Sequence, residues 1–340
     1  MTAVDIPLLA KTPQMRPLNI MRDLSSVADL VEKCFADTMD AEGHNYLQQM
    51  RRAGQDHSFL RWAGHAVETV SMPLSGYVWE ESGEIIGNVS LIPYHHARKK
   101  IYLIANVAVR ADHRKRGIGR ALTAAAMEHA RVRHSDETWL HVRDDNPGAI
   151  NIYRSLGFVA ITRRTTWQAQ PDRPVTGTYP AHEALEPGIT ITKRAARDWD
   201  AQESWLRTQY PDLLSWYQPM PWMSLRPGLI PILYRFLSEF EVRHWVIRRN
   251  DTPQAVLSWM AGLGSANRLW IAIPPTGGEV LLTQLLLHVR RALVWRERTS
   301  LDFPAGQYAG SIEAAGFHPH RTLVWMKSDE TSTEETRKSI

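Results

Sequence analysis

Apolar positions change their period several times along the chain, and each change marks an element. Residues 18–22, LNIMR, alternate and predict a short strand. From 25 to 37, SSVADLVEKCFAD, the apolar positions take helical spacing behind Ser25 or Ser26 as a cap. YLQQMRRA (46–53) and SFLRWAG (58–64) keep the helical period. Residues 75–96 alternate on either side of Ser82-Gly83 and predict a hairpin. KKIYLIANVAVR (99–110) is too apolar for a strand with one wet face, which predicts a central strand. Ile118, Leu122, Ala125 and Ala126 then share one helical face, with alanines small enough to let that helix lie close on a sheet. TWLHVR (138–143) is the next strand. A short helix follows, with Asn146 as N-cap, Pro147 at its first position and Gly157 as its stop. Residues 158–170 read as a further strand.

The same order then returns. GITITKR (188–194) repeats LNIMR, and a helix follows over 195–210. A hairpin turns near Asn250-Asp251, RLWIAIPP (268–275) repeats IYLIANVAVR, and a helix covers 277–295. AAGFHPHRTLVWM (314–326) repeats SLGFVAITRRTTW. Between the copies, residues 169–188 carry four prolines and little apolar periodicity, the composition of a linker. The pattern therefore predicts one α/β fold used twice: a first domain over 15–168, a linker over 169–187, a second domain over 188–328 and a polar tail over 329–340.

Composition narrows the function. The chain has 340 residues, 44% of them hydrophobic, which is enough core for two domains. Forty basic against 36 acidic residues give a net charge of +4, too balanced for a dedicated nucleic-acid binder. The single cysteine, Cys34, excludes an intramolecular disulfide and a cysteine zinc cluster, and suits a small apolar position. His95-His96 and the pair His318 and His320 lack a third ligand at sensible spacing, so no metal is expected. No run approaches a membrane span and no basic region precedes the N-terminal apolar patch, so a soluble, cytoplasmic protein without membrane contact is expected.

The chemistry gathers where the central strand ends. HRKRGIGRAL (113–122) follows it directly and opens a helix. A helix N-terminus leaves backbone N–H groups without partners, and glycines let the backbone approach a ligand. Arg114, Lys115, Arg116 and Arg120 add positive charge, so the corner suits a phosphate. A Walker loop is absent, and a dinucleotide fingerprint fails because Leu122 stands where its third glycine belongs. Arg-x-x-Gly-x-Gly after a central strand is satisfied by Arg114, Gly117 and Gly119.

NVAVRADHRKRGIGRAL, followed by LHVRDDNPGAINIYRSLGF, resembles the GNAT superfamily of acyl-CoA-dependent N-acetyltransferases over about residues 17–168. The resemblance implies a tandem GNAT fold, each half a mixed, mostly antiparallel central sheet flanked by helices. It implies acetyl-CoA as acyl donor, with no metal, and transfer to a primary amine by direct attack on the thioester. By the same resemblance the central strand splays at a bulge and Val107 and Val109 contact pantetheine. The backbone N–H groups of Arg114, Lys115, Arg116, Gly117, Ile118, Gly119 and Arg120 would hold the pyrophosphate. An N–H near Val107 or Ala108 would face the oxyanion, and Tyr153 would be the acid for the departing thiolate. Asn146 and Asn151 are further candidates for the cofactor, although Asn146 serves equally as a helix cap. Ribosomal-protein N-acetyltransferases of the family carry Leu-Glu-Val-Arg where this chain reads Leu140-His141-Val142-Arg143, so His141 stands where a carboxylate base is expected. An imidazole suits base work. Glu80, Asp144 and a water chain are the other options.

The second copy departs from the motif. Its loop, in IAIPPTGGEVLL, is shorter, has no Arg or Lys, and places Glu279 at the helix start, where it repels a diphosphate. Ile312 falls at the place of Tyr153. The second half therefore reads as a degenerate copy that walls the acceptor site of the first. Trp216 and Trp222 would line that site or fill an interface. The rival readings are an acyl-CoA-binding sensor without turnover, and an acyltransferase with another donor or acceptor. The expected partners are acetyl-CoA and an amine-bearing acceptor, with no nucleic acid. A homodimer stays open, since two fused copies replace one or build a larger one.

Overall fold

A computed structural model describes residues 12–39, 41–56, 72–169, 185–238, 241–262, 266–293 and 298–329. Packing divides the chain into two units, Met1–Thr162 with Val324–Ile340, and Arg163–Leu323. The proline-rich stretch expected as a linker, the segment SFLRWAG and the polar tail lie largely or wholly outside the described residues.

The first unit runs β1 (Met15–Pro17), α1 (Ile20–Phe35), α2 (Ala41–Gln55), β2 (Ser75–Glu81), β3 (Glu84–His96), β4 (Lys99–Val109), α3 (Ile118–Val132), β5 (Glu137–Arg143), α4 (Pro147–Ser155) and the start of β6 (Phe158–Ala169). Its sheet has the order β1-β2-β3-β4-β5, antiparallel except for the parallel pair β4–β5. The end of the last strand in the chain, from Val324 on, belongs to the same unit. Two apolar layers flank the sheet. On one face Ile118, Leu122, Ala125 and Ala126 of α3 pack on Tyr77, Ile86, Val89, Tyr102 and Ile104. On the other, Val27, Leu30 and Val31 of α1 and Leu47 of α2 pack on Val78 and Ala108.

The expected hairpin turns at Ser82 and Gly83, both with positive φ (51° and 80°), as a two-residue turn with right-handed strand twist requires. Residues 18–22 differ from expectation. The strand is β1, and Ile20 already lies in α1, which starts ahead of Ser25. Asn19 sets that start: its side chain accepts from Met21 N at 3.0 Å, while the buried Asp23 carboxylate accepts from Asn19 N at 2.8 Å.

The small-residue contact between α3 and the sheet is tightest at Gly87. A Cβ there would lie 3.0 Å from Leu122 and 3.1 Å from Ile118. Gly87→Ala is therefore expected to destabilise the protein by about 1–3 kcal/mol through overpacking. A urea midpoint equal to wild type would show that α3 can retreat at no cost.

The second unit continues from β6 through β7 (Ile189–Lys193), α5 (Trp199–Gln209), α6 (Trp222–Leu225), α7 (Leu229–Leu237), β8 (Val242–Arg249), β9 (Thr252–Met260), β10 (Asn267–Ala272), α8 (Glu279–Ala292), β11 (Thr299–Pro304), α9 (Ala309–Ala314) and most of β12 (His318–Ser328). Its sheet has the order β6-β11-β10-β9-β8-β7, again with one parallel pair, β10–β11. Leu282, Leu285 and Leu286 of α8 cover one face, and Leu206 of α5 packs with Val246, Val256 and Trp270 on the other. Strand β11 and helix α7 have no counterpart in the sequence reading. Trp222 meets Trp199 edge-on within this unit, with ring centroids 6.4 Å apart.

Candidate active site

The sheet of the first unit opens between β4 and β5. Their parallel pairing runs from Ile101 with Glu137 to Ile104 with Leu140, yet β4 continues to Val109 and β5 to Arg143. The cause lies on the other side of β4. Ser90 faces Ala105 and Asn88 faces Ala108, so Asn106 and Val107 form a bulge, with Asn106 at φ 50°. The bulge changes the phase of the strand. Tyr102 and Ile104 before it, and Val107 and Val109 after it, all face the α3 layer, while Ala108 faces α1 and α2. Side chains hold it. Asn88 Nδ2 donates to Asn106 O at 3.0 Å, and Asn106 Nδ2 donates to the Tyr46 hydroxyl of α2 at 3.0 Å. The sequence reading missed these asparagines and Tyr46. The available signal was a lone polar residue inside the apolar run LIANVAV.

Beyond Val109 the chain makes the phosphate-loop corner. Lys115 (φ 63°) and Gly117 (φ 80°) take left-handed conformations, and Gly117 caps α3 without a side-chain bond. The first intrahelical bond is Ala121 N to Gly117 O at 3.0 Å, so the amides of Ile118, Gly119 and Arg120 point out of the helix end. A Cβ on Gly117 would meet nothing within 4 Å, which leaves the approach to these amides open.

The basic side chains divide. Lys115 and Arg120 are exposed. Arg116 is tied to Glu81 of β2 at 2.9 and 3.2 Å, and so serves the corner as half of an ion pair. Arg114 Nε donates to Val109 O at 3.2 Å, and the Cys34 thiol donates to the same oxygen at 3.4 Å. The Val109 carbonyl is therefore already engaged. Burial pushes the Cys34 thiol up, and it is partly buried as expected of a small apolar position. Hydrogen bonds from His113 and Arg110 hold the Asp112 carboxyl down at about 2.

The structure places the two catalytic candidates on opposite faces of β5. Tyr153 of α4 is 7% exposed and shares the α3 layer with Leu140 and Val142, its ring edge-on to Phe158 at 6.2 Å. Burial pushes its phenol up to about 12. His141 lies between Leu140 and Val142 and faces the other way, its ring 4.8 Å from that of Trp325. Asn146 is the N-cap of α4, its Oδ1 accepting from Ala149 N at 3.1 Å, which leaves its amide nitrogen outside the cap. Asn151 is exposed on the same helix. Glu80 is held by Arg16 at 2.6 Å and Arg22 at 3.0 Å, which removes it as a free base.

In the second unit the corresponding loop spans residues 273–278, against 110–117 in the first. It closes on itself, with Gly277 N donating to Pro274 O at 2.8 Å and the Tyr308 hydroxyl to Pro274 O and Gly277 O at 3.3 Å. Glu279 opens α8, and Ile312 is fully buried. Among the described residues no group of three metal-ligating side chains occurs, and no helix is long and apolar enough to cross a membrane.

A mixed sheet that opens at a bulge, beside a glycine-capped helix, defines the fold of the first unit. Residues 32–158 match the model of the acetyltransferase (GNAT) family. Residues 32–158 thus carry a GNAT acetyltransferase domain. A mycothiol acetyltransferase of Thermobispora bispora is 28% identical over 170 residues, 47% of this chain and 51% of that protein. The [ribosomal protein bS18]-alanine N-acetyltransferase of Escherichia coli is 37% identical over 67 residues, 20% of this chain and 45% of that one. The chain thus spans about half the length of these curated relatives. Among solved structures, a GCN5-related N-acetyltransferase from Sphaerobacter thermophilus shares the fold at a TM-score of 0.54 and 14% identity, over 93% of this chain and 95% of that one.

Proposed function

We propose that the chain transfers an acetyl group from acetyl-CoA to a primary amine by direct attack on the thioester. One observation supports this reading most: the open gap between β4 and β5 lies next to outward-pointing amides at the start of α3, so an extended arm with a diphosphate at its end fits the two together. The amides of Arg114 to Arg120 hold the diphosphate, and Lys115 and Arg120 add charge. The edge of β4 at Val107 and Ala108 takes the pantetheine arm and presents an N–H to the carbonyl oxygen as charge develops. The bound donor supplies the activated acyl carbon.

His141 takes a proton from the acceptor's ammonium, the uncharged amine attacks the thioester carbon, the new N–C bond forms as the C–S bond breaks, and Tyr153 protonates the thiolate. The Asn146 amide and Asn151 border the entry of the arm. The second unit, with its closed loop and Ile312, holds no donor. The amine acceptor is supported at the level of its class, because the relatives named above differ in what they acetylate. A cytoplasmic location, no resident metal and no nucleic-acid partner complete the reading.

Calorimetric titration with acetyl-CoA, followed by thiol release over a panel of primary amines, tests it. Binding near one equivalent with amine-dependent thiol release is expected. Binding without release from any amine would leave a sensor. Gly117→Val forces a β-branched residue into the left-handed region and is expected to weaken acetyl-CoA binding about tenfold, or about 1.4 kcal/mol. An unchanged affinity would place the cradle elsewhere.

A further inference from the structure

The second unit buries a group of hydrogen-bond donors on the sheet face covered by α5, away from its degenerate loop. Arg194, just past β7, is bound to the next strand by its backbone, Arg194 N donating to His244 O at 3.3 Å. Its guanidinium lies 5.6 Å from the Trp199 ring and donates from Nη2 to Leu225 O at 3.2 Å. Its Nε and Nη1 are buried and have no hydrogen-bond partner among the described residues. His244 Nε2 and Gln202 Oε1 are in the same condition, and Gln202 is fully buried. Arg235 of α7 donates to Ser224 O at 2.9 Å and Arg226 O at 3.2 Å, and its charge is felt at both Arg194 and His244.

The nearby carboxylates are committed elsewhere, and only Asp198 partly offsets the charge of Arg194. Asp198 is bound at 2.6 and 2.7 Å by Arg248 and also accepts from Ala195 N. Glu203 is taken by Arg207 at 2.7 Å and Arg226 at 3.4 Å. Buried charge without a counter-charge is costly, so a site of this composition gains most from an anion. Burial and the Arg235 charge, only partly offset by Asp198, lower Arg194 to about 10, and burial with both arginines drives His244 down to about 3.

A hydrogen-bond relay fixes the imidazole. Ser258 Oγ accepts from Gln202 Nε2 at 2.8 Å and pairs with His244 Nδ1 at 2.9 Å. With the Ser258 hydroxyl donating to Nδ1, the neutral ring carries its proton on Nε2, the atom without a partner. The open groups are then three donor nitrogens, Arg194 Nε and Nη1 and His244 Nε2, and one acceptor, Gln202 Oε1. We propose that the second unit binds a small oxyanion bearing a hydroxyl, such as a monohydrogen phosphate or a hydroxycarboxylate, between Arg194, Arg235 and His244. The anionic oxygens meet the donors and the hydroxyl meets Gln202. The proposal is independent of acyl transfer in the first unit.

The full-length chain is titrated calorimetrically with inorganic phosphate, glycolate, acetate and sulfate. Saturable binding is expected for phosphate or glycolate, whichever source the site serves, and weaker binding for acetate and sulfate, which bring no hydroxyl at neutral pH. Arg194→Gln and Arg235→Gln are each expected to weaken that binding at least tenfold while acetyl-CoA affinity stays unchanged, which also reports that the variants are folded. Gln202→Glu sets a carboxylate among the arginines and is expected to abolish it. Absence of saturable binding for all four anions would overturn the proposal, as would equal affinity in the arginine variants. Loss of acetyl-CoA binding with oxyanion binding intact would count against acyl transfer alone.

Discussion

Tyr153→Phe is expected to lower kcat on the order of 10²-fold, the usual yield of a positioned general acid, while the acetyl-CoA dissociation constant stays within about twofold. The two numbers separate because the ring and the hydroxyl do different things. The ring belongs to the core: 7% exposed, edge-on to Phe158, packed with Leu140 and Val142. Phenylalanine keeps all of that contact. The hydroxyl has no hydrogen-bond partner among the described residues, so its removal leaves no orphaned group behind and costs no stability. What remains to lose is the proton.

Burial holds the phenol at about 12, so it stays protonated throughout the neutral and mildly alkaline range. The same burial raises the pKa of a thiolate formed beside it, which keeps the transfer between the two balanced. The pH profile gives the second check. A fall in kcat caused by loss of the Tyr153 proton belongs near pH 12, and any limb seen between 6 and 9 is expected to survive in the phenylalanine variant, since it reports another group. A kcat unchanged by the substitution would return Tyr153 to the core.

Parts of this architecture are legible in the sequence because a local rule dictates them. Ser82-Gly83 names its own turn, Asn146-Pro147 names the start of α4, and the unbroken apolar run of β4 names a strand covered on both faces. The motif residues 114–120 announce the corner, but not the fates of their side chains: Glu81 is a distant partner brought up by the hairpin, and the Val109 carbonyl is reached only because the chain turns back on the end of β4. The early start of α1 was obscured because LNIMR alternates like a strand, while the deciding bond runs from Asn19 to an aspartate inside the helix. Strand β11 has only six residues and gains its place from partners on both sides, β6 and β10. That His141 faces away from Leu140 and Val142 follows from simple alternation along β5 and was open to inference; what alternation cannot supply is the packing of Tyr153 from α4 against that strand, or the ring of Trp325, which arrives from the far end of the chain.

The bulge on β4 is the element on which the opening of the sheet turns, and Asn106 is its hinge. Its φ of 50° is uncommon for a residue with a side chain, and asparagine tolerates it better than most. A β-branched residue does not. Asn106→Val is expected to cost about 3–4 kcal/mol, combining ~1–2 kcal/mol of left-handed strain with about 1 kcal/mol for each lost bond to Tyr46 and Ser90. The chain can escape the strain by straightening the bulge, and the consequence is specific. A strand without the extra residue keeps one phase, so Val107 and Val109 would turn away from α3 and the edge facing the gap would change its N–H and C=O pattern. Acetyl-CoA affinity is therefore expected to fall together with the unfolding midpoint. Asn106→Gly separates the two causes: it removes the side-chain bonds but relieves the strain, so it is expected to lose only about 1–2 kcal/mol and to bind acetyl-CoA within about threefold of wild type. If glycine and valine weaken binding equally, the hydrogen bonds to Tyr46 and Ser90 hold the gap open. If valine alone does so, the left-handed backbone at Asn106 is what keeps β4 apart from β5.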